Sequence, residues 1–235
     1  PHPARGVRVV HTPEANAGAV AELVFASVLG AIRPMARVRE GMDEGAWRAL
    51  REACVAGSML EGSTLGVWGL GRVGRRVARA GRAFGMRTIF HDLREIPESE
   101  REGAAPVSLE TLLAQSDVLS VHVDGREGNR DLIGEQSFGR MKRDVVFVNM
   151  SRGFVVDERA CAAFLRSNEG ARAILDVHRH EPVRGDSGLL GLENAVLLPH
   201  LGSATTPAKR AMSWVVRDVV RVLRGEAPAF EARVS

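Results

Sequence analysis

The chain has 235 residues and a formal net charge of +3, with 45% hydrophobic and 26% charged residues, close to globular averages. This excludes a disordered or fibrous protein, and the charge excess is too small to call for nucleic acid. The only cysteines are Cys54 and Cys161, no apolar run has the length of a membrane span and the first residues lack a signal-peptide core, so a reduced protein of the cytoplasm with buried free thiols is expected.

From the N-terminus, Val7 to His11 reads as a short strand closed by Thr12-Pro13, because the proline confines Thr12 to extended geometry. Asn16 stands where an N-cap belongs, ahead of an alanine-rich apolar helix from Ala17 to Ile32 whose register Pro34 disturbs. Met35 to Gly62 is charged and helical in tone, with Trp47 and Leu50 as apolar anchors, and reads as an elbow or partner-facing arm. From Ser63 onward short apolar runs alternate with amphipathic segments, which is the pattern of βαβ units. Strands are expected at Leu65 to Trp68, Arg87 to Phe90, Val118 to Val121, Val145 to Asn149, Ala173 to Val177 and Ala195 to Leu198. Helices are expected at Val73 to Phe84, Leu109 to Gln115, Glu135 to Met141 and Glu158 to Arg166. A last amphipathic helix, Pro207 to Arg224, carries a valine-rich face that has to pack on another layer. The fold class is therefore α/β, a doubly wound parallel sheet of Rossmann type, with its ligand beyond the carboxyl ends of the strands. Trp47, Trp68 and Trp214 read as packing residues.

The most specific local signal is Gly69-Leu70-Gly71-Arg72-Val73-Gly74, a Gly-x-Gly-x-x-Gly run between an apolar strand and a helix. Its glycines suit a tight turn, close approach of backbone to a pyrophosphate, and close packing of helix on strand. Arg72 and Val73 fall at the helix N-terminus, where free N–H groups and the macrodipole attract phosphate. Asp92 follows Gly74 by 18 residues, near the spacing of about 20 expected for the carboxylate that binds the adenosine ribose. A carboxylate there repels a 2′-phosphate, so NAD is expected over NADP, with Arg94 two residues on as a softening influence. The arginines Arg75, Arg76, Arg79 and Arg82 along the following helix read as a solvated face rather than a nucleic-acid surface.

Three polar clusters fall at strand exits: Asn149 to Gly153, Asp176 to Pro182, and Pro199 to Thr205. Together they bring an arginine, carboxylates and a histidine to the end of the sheet where chemistry is expected. His178 and His180 invite a metal reading, but no CxxC or HExxH spacing supports it and no metal is expected.

With these residues in view, the chain resembles the D-isomer-specific 2-hydroxyacid dehydrogenase family. The resemblance is carried by His11-Thr12-Pro13 with Asn16-Ala17 and Ala21-Glu22-Leu23, by the Gly69 to Gly74 loop, and by Val148-Asn149 with Arg152-Gly153 and Val155-Val156-Asp157-Glu158. Leu175-Asp176-Val177 with Glu181-Pro182, and Pro199-His200 with Gly202, complete it in the family's order. It implies hydride transfer between NAD and a small 2-oxo or 2-hydroxy acid, in a homodimer. Catalysis is implied for Arg152, Glu181 and His200, and cofactor binding for Gly69, Gly71, Arg72, Val73, Gly74, Asp92, Met150 and Asp176, the last at the nicotinamide carboxamide. Residues 63–205 correspond to the NAD-binding domain and 13–62 to a linking helix and dimerisation arm. Residues 1–12 and 206–235 correspond to remnants of a second, flavodoxin-like substrate domain, whose N-terminal half precedes the stretch this chain matches; a fragment or a truncated product is the expectation. The loop Val123 to Asn129 departs from the family's proline-led turn and, with Leu175-Asp176-Val177-His178 and the segment Leu50 to Gly62, is similar to the C-terminal binding protein co-repressors, while Gly202 to Thr205 is similar to glyoxylate and hydroxypyruvate reductases. An NAD-dependent scaffold, or an NAD-binding remnant without turnover, therefore stands as the alternative to an enzyme.

Overall fold

The computed structural model describes residues 7–55 and 57–232. Two helices come first, α1 (Ala17–Ile32) and α2 (Glu44–Ala53). The alternating part then runs β1 (Thr64–Trp68), α3 (Arg72–Ala83), β2 (Arg87–His91), β3 (Ala105–Pro106), α4 (Leu109–Gln115), β4 (Val118–Val121), α5 (Glu135–Phe138), β5 (Val146–Asn149), α6 (Glu158–Ser167), β6 (Arg172–Leu175) and β7 (Ala195–Leu197). Two helices, α7 (Thr206–Ser213) and α8 (Val215–Leu223), follow.

The strands form one parallel sheet in the order β3-β2-β1-β4-β5-β6-β7, the doubly wound arrangement expected from the alternation. Every residue of β1, β4 and β5 is buried, because both faces of the sheet are covered, which is why these strands read as unbroken apolar runs. One face packs Val67 and Val148 against Val24 and Val28 of α1 and Val77 of α3; the other packs Leu119 and Phe147 against Leu112 of α4, Phe138 of α5 and Cys161 of α6. The chain crosses from β3 at one edge to β4 beside β1, so the crevice above the carboxyl ends of β1 and β4 is the topological switch point.

Side-chain caps explain several helix starts. Ser108 accepts from the Thr111 amide, Asp157 from the Arg159 and Ala160 amides, and Thr205 from the Ala208 amide. Asn16 does not cap α1; its side chain accepts no helix amide, and the preceding turn leads into the helix through backbone bonds instead.

Other expectations are corrected. The seventh strand, β3, is two residues long and includes Pro106, which an edge position tolerates. Val7 to His11 forms no strand; Val10 bridges Glu231, with the His11 amide donating to Phe230 at 3.2 Å and the Ala232 amide to Val9 at 2.8 Å. Among the described residues from Met35 to Gly62 only α2 is helical, and no residue of α2 is buried. The last helix divides at Trp214, where the Arg217 guanidinium stacks 3.2 Å over the indole. Trp68 is packed in the core, whereas Trp47 and Trp214 are 48% and 44% exposed. Cys161 is buried and its thiol pushed up to about 12 by burial, helped by Glu158 and Asp157; Cys54 is only partly buried at the end of α2. The arginine row of α3 is a paired solvent face, with Arg75 on Glu100, Arg76 on Glu14 and Arg79 on Glu102. No helix among the described residues is long and apolar enough to cross a membrane.

Candidate active site

The glycine loop leaves β1 and enters α3 as its spacing predicts. Gly69 has φ +93, a conformation for which a side chain would be strained, and a Cβ there would lie 2.8 Å from the His122 carbonyl oxygen. A Cβ on Gly74 would lie 2.1 Å from the Gly69 carbonyl oxygen, so helix and strand meet at van der Waals limits. Gly71, the N-cap of α3, faces open space, leaving room beside the free amides of Arg72 and Val73 for an anion. Arg72 itself lies 3.3 Å from Glu14.

Beside this loop a cleft of about 400 Å³ is lined by Gly69, Gly71, Asp92, Arg94, His122 and Asp124, among others. Asp92 stands at the end of β2, accepting the Leu70 amide at 2.8 Å and the Arg94 amide at 2.9 Å, with the Arg94 guanidinium 3.5 Å away. Across the cleft the Arg126 guanidinium pairs with Asp124 and holds that carboxyl below its ordinary range, while Asn129 donates to Asp124 at 2.9 Å. His122 bonds Ser120 at 2.8 Å through Nε2, and its enclosed Nδ1 has no partner; burial pushes its pKa down to about 3. A glycine cradle, an anion-ready helix start and a ribose-height carboxylate fit a dinucleotide laid across the switch point.

The second half of the site is built by the exits of β5, β6 and β7. After β5, buried Asn149 accepts the Ser151 amide at 3.0 Å and donates to the Arg152 carbonyl at 3.1 Å, shaping the turn that presents Arg152. Met150 lies buried in the same turn. Arg152 is exposed, bonds the Ser151 carbonyl at 2.7 Å and lays its stem against Gly125. Its neighbour Gly153 abuts the next loop so closely that a Cβ would lie 1.9 Å from the His178 carbonyl oxygen. After β6, Asp176 is 1% exposed and spends its oxygens on the Leu201 and Gly202 amides, at 2.6 and 2.7 Å. The contact the structure gives Asp176 is thus with the turn just after His200. His178 bonds the Leu198 carbonyl at 2.7 Å through Nε2, and its amide donates to Glu181 Oε1 at 3.0 Å. The other oxygen of Glu181 lies 2.8 Å from His200 Nδ1, and His200 itself is held at φ +56. Burial alone would raise Glu181; the His200 hydrogen bond, the His178 amide and the two imidazoles outweigh it and leave the carboxyl below its ordinary value.

Sequence reading thus found the loops that the fold brings together, and the Glu181–His200 contact is the one direct bond between expected catalytic residues. It did not single out His122, and it named Asn149 and His178 without the turn-shaping contacts of the first or the loop-joining contacts of the second. A strand-end asparagine is a turn former, and that was the available signal for Asn149.

Comparison with known proteins decides the family. Residues 25–202 match the profile of the D-isomer specific 2-hydroxyacid dehydrogenase, NAD binding domain. The chain belongs to the D-isomer specific 2-hydroxyacid dehydrogenase family. It is 38% identical over 227 residues to a glyoxylate reductase of Korarchaeum cryptofilum, covering 95% of this chain and 68% of that protein. It is 38% identical over 225 residues to a glyoxylate/hydroxypyruvate reductase B of Klebsiella pneumoniae, covering 94% and 70%. Among solved structures, a glyoxylate reductase from Paecilomyes thermophila superposes with a TM-score of 0.84 at 33% identity over 98% of this chain and 69% of its own. As a D-isomer specific 2-hydroxyacid dehydrogenase the protein is an NAD-dependent oxidoreductase, and its relatives favour that reading over a co-repressor scaffold. The chain spans about 70% of the length of these dehydrogenases.

Proposed function

We propose that this dehydrogenase reduces a small 2-oxo acid of the glyoxylate or hydroxypyruvate type to the 2-hydroxy acid, with His200 as the proton donor. The observation that carries the reading is the 2.8 Å contact between His200 Nδ1 and Glu181 at the exits of β6 and β7, on the same carboxyl-end side of the parallel sheet as the cleft beside the glycine loop. Glu181 holds the proton on Nδ1 and stabilises imidazolium, so Nε2 is the nitrogen that gives its proton to the substrate carbonyl oxygen, or takes the hydroxyl proton in reverse. The Arg152 fork is suited to the substrate carboxylate and polarises the adjacent carbonyl. Gly69, Gly71, Arg72, Val73 and Gly74 would hold the pyrophosphate of NAD and Asp92 its adenosine ribose, while Met150 and Asp176 would serve the nicotinamide end, Asp176 from a buried position where it holds the Leu201–Gly202 turn. Bound NADH supplies the hydride.

The exposed helix α2, with Trp47 on its surface, supports a homodimer in which residues 13–62 form the linking and dimerisation segment around 63–205. The meeting of residues 9–11 with 230–232 supports assigning both ends of the chain to one substrate domain. The free thiols fit a reducing compartment, the cytoplasm. The test is NADH oxidation with glyoxylate, hydroxypyruvate and pyruvate, on this chain and on a longer version extended upstream. Turnover that survives His200→Ala would overturn the mechanism.

A further inference from the structure

One residue touches the loops of Arg152, Glu181 and His200. His178 is 7% exposed, so its ring is buried among the loops it joins. Its ring Nε2 lies 2.7 Å from the Leu198 carbonyl oxygen, two residues before His200. Because the partner is a carbonyl, which only accepts, Nε2 carries the hydrogen. Its amide donates to Glu181 Oε1 at 3.0 Å, leaving Oε2 for His200. Its carbonyl packs on Gly153, where even a Cβ would come within 1.9 Å, so it also fixes the backbone next to Arg152.

We propose that His178 is a positioning residue for the hydride-transfer site, joining the loops of Arg152, Glu181 and His200 and fixing the Nδ1–H form of the His200 ring. The proposal rests on the reading of His200 as proton donor. The physical reason is the geometry of a two-oxygen clamp. A carboxylate whose rotation is stopped by an amide on Oε1 presents Oε2 in one place, and a loop anchored at Leu198 presents His200 Nδ1 to it. If the anchor is removed, each loop keeps its own backbone bonds while the distance between them relaxes. A misplacement of about 1 Å in such a site costs up to roughly 100-fold in rate.

The experiment uses the full chain, 15N-labelled, with ring nitrogens followed by NMR and the His200 signals identified by their loss in His200→Ala. In the unaltered protein His178 is expected as the Nε2–H tautomer and neutral His200 as Nδ1–H; a His178 found as Nδ1–H has no hydrogen for Leu198 and overturns the proposal even without a variant. His178→Phe keeps ring size and removes the donor, and His178→Gln restores one. With NADH affinity within about twofold of the unaltered protein as the measure of intact folding, His178→Phe is expected to mix the His200 tautomers and His178→Gln to recover Nδ1–H. A folded His178→Phe in which His200 keeps Nδ1–H sinks the proposal. In kinetics with glyoxylate, kcat is expected to fall about tenfold to 100-fold in His178→Phe, with the pH profile displaced, and to recover partly in His178→Gln. If the unaltered protein reduces none of the acids yet the tautomers respond as described, the function reading fails and takes the hydride-transfer role of His178 with it, while its control of the His200 tautomer is borne out.

Discussion

His200 Nδ1 lies 2.8 Å from Glu181 Oε2, while the other oxygen of that carboxylate accepts the His178 amide at 3.0 Å. The carboxylate is therefore held at both ends before any substrate arrives. Replacing Glu181 by Gln keeps the shape but gives Nδ1 a neutral partner, so kcat for 2-oxo acid reduction is expected to fall on the order of 100-fold with KM for NADH little changed. Steady-state kinetics with glyoxylate check this, and a kcat within twofold of the unaltered enzyme would refute it.

The cofactor loop gives a steric prediction. In Gly74→Ala the new methyl would lie 2.1 Å from the Gly69 carbonyl oxygen, which is backbone and has nowhere to go. The helix must lift from the strand, with a stability loss of about 1–3 kcal/mol or more and NADH binding weakened beyond tenfold. Urea denaturation and NADH fluorescence titration measure the two effects.

Gly125→Ala separates substrate from cofactor. Its Cβ would lie 3.3 Å from Cγ and Nε of Arg152, an exposed side chain that can shift by a few tenths of an ångström. Stability is expected to change by less than about 0.5 kcal/mol. KM for the 2-oxo acid is expected to rise severalfold, since a bidentate fork tolerates little displacement. An unchanged KM would argue that Arg152 does not hold the substrate.

His122 gives a pH prediction. Its folded pKa of about 3 lies below the ordinary histidine value of about 6.5, so between these the unfolded chain binds more protons than the folded one. The neutral imidazole's contribution is complete above pH 6.5 and falls as pH drops toward 3, by at most about 1.4 kcal/mol per pH unit. His122→Gln is expected to lose stability less steeply from pH 7.5 to pH 5, as read from urea midpoints at each pH.

The dimer proposal is tested at Trp47, which is 48% exposed on a helix without a buried residue. Trp47→Glu is expected to shift the protein from dimer toward monomer in sedimentation velocity, with thermal stability of the sheet domain retained. A monomeric unaltered protein at micromolar concentration would remove the premise.

The alternation of short apolar runs with amphipathic helices determined the parallel sheet, because a strand covered on both faces has to be apolar throughout. The glycine spacing determined the dinucleotide cradle, since local backbone geometry at Gly69 and Gly74 admits no side chain. What depended on distant partners was not legible. Pro106 hides β3, whose pairing with β2 is decided by the sheet edge. Val7 to His11 has strand composition, but among the described residues its inter-segment backbone pairing is confined to residues 230–232. Trp47 and Trp214 look like core residues and are exposed where they stand.

The same division holds at the site. The sequence by itself determined which residue types reach the carboxyl ends of the strands, because chain order and the parallel sheet place Arg152, Glu181 and His200 there. Only the tertiary structure decided their partners: Asp176 grips the Leu201–Gly202 turn, His178 bonds Leu198, and Glu181 takes His200. Those bonds join loops some 20 residues or more apart, and hydrogen-bond pairing at such separation is set by where the sheet brings the loops rather than by any local pattern in the chain.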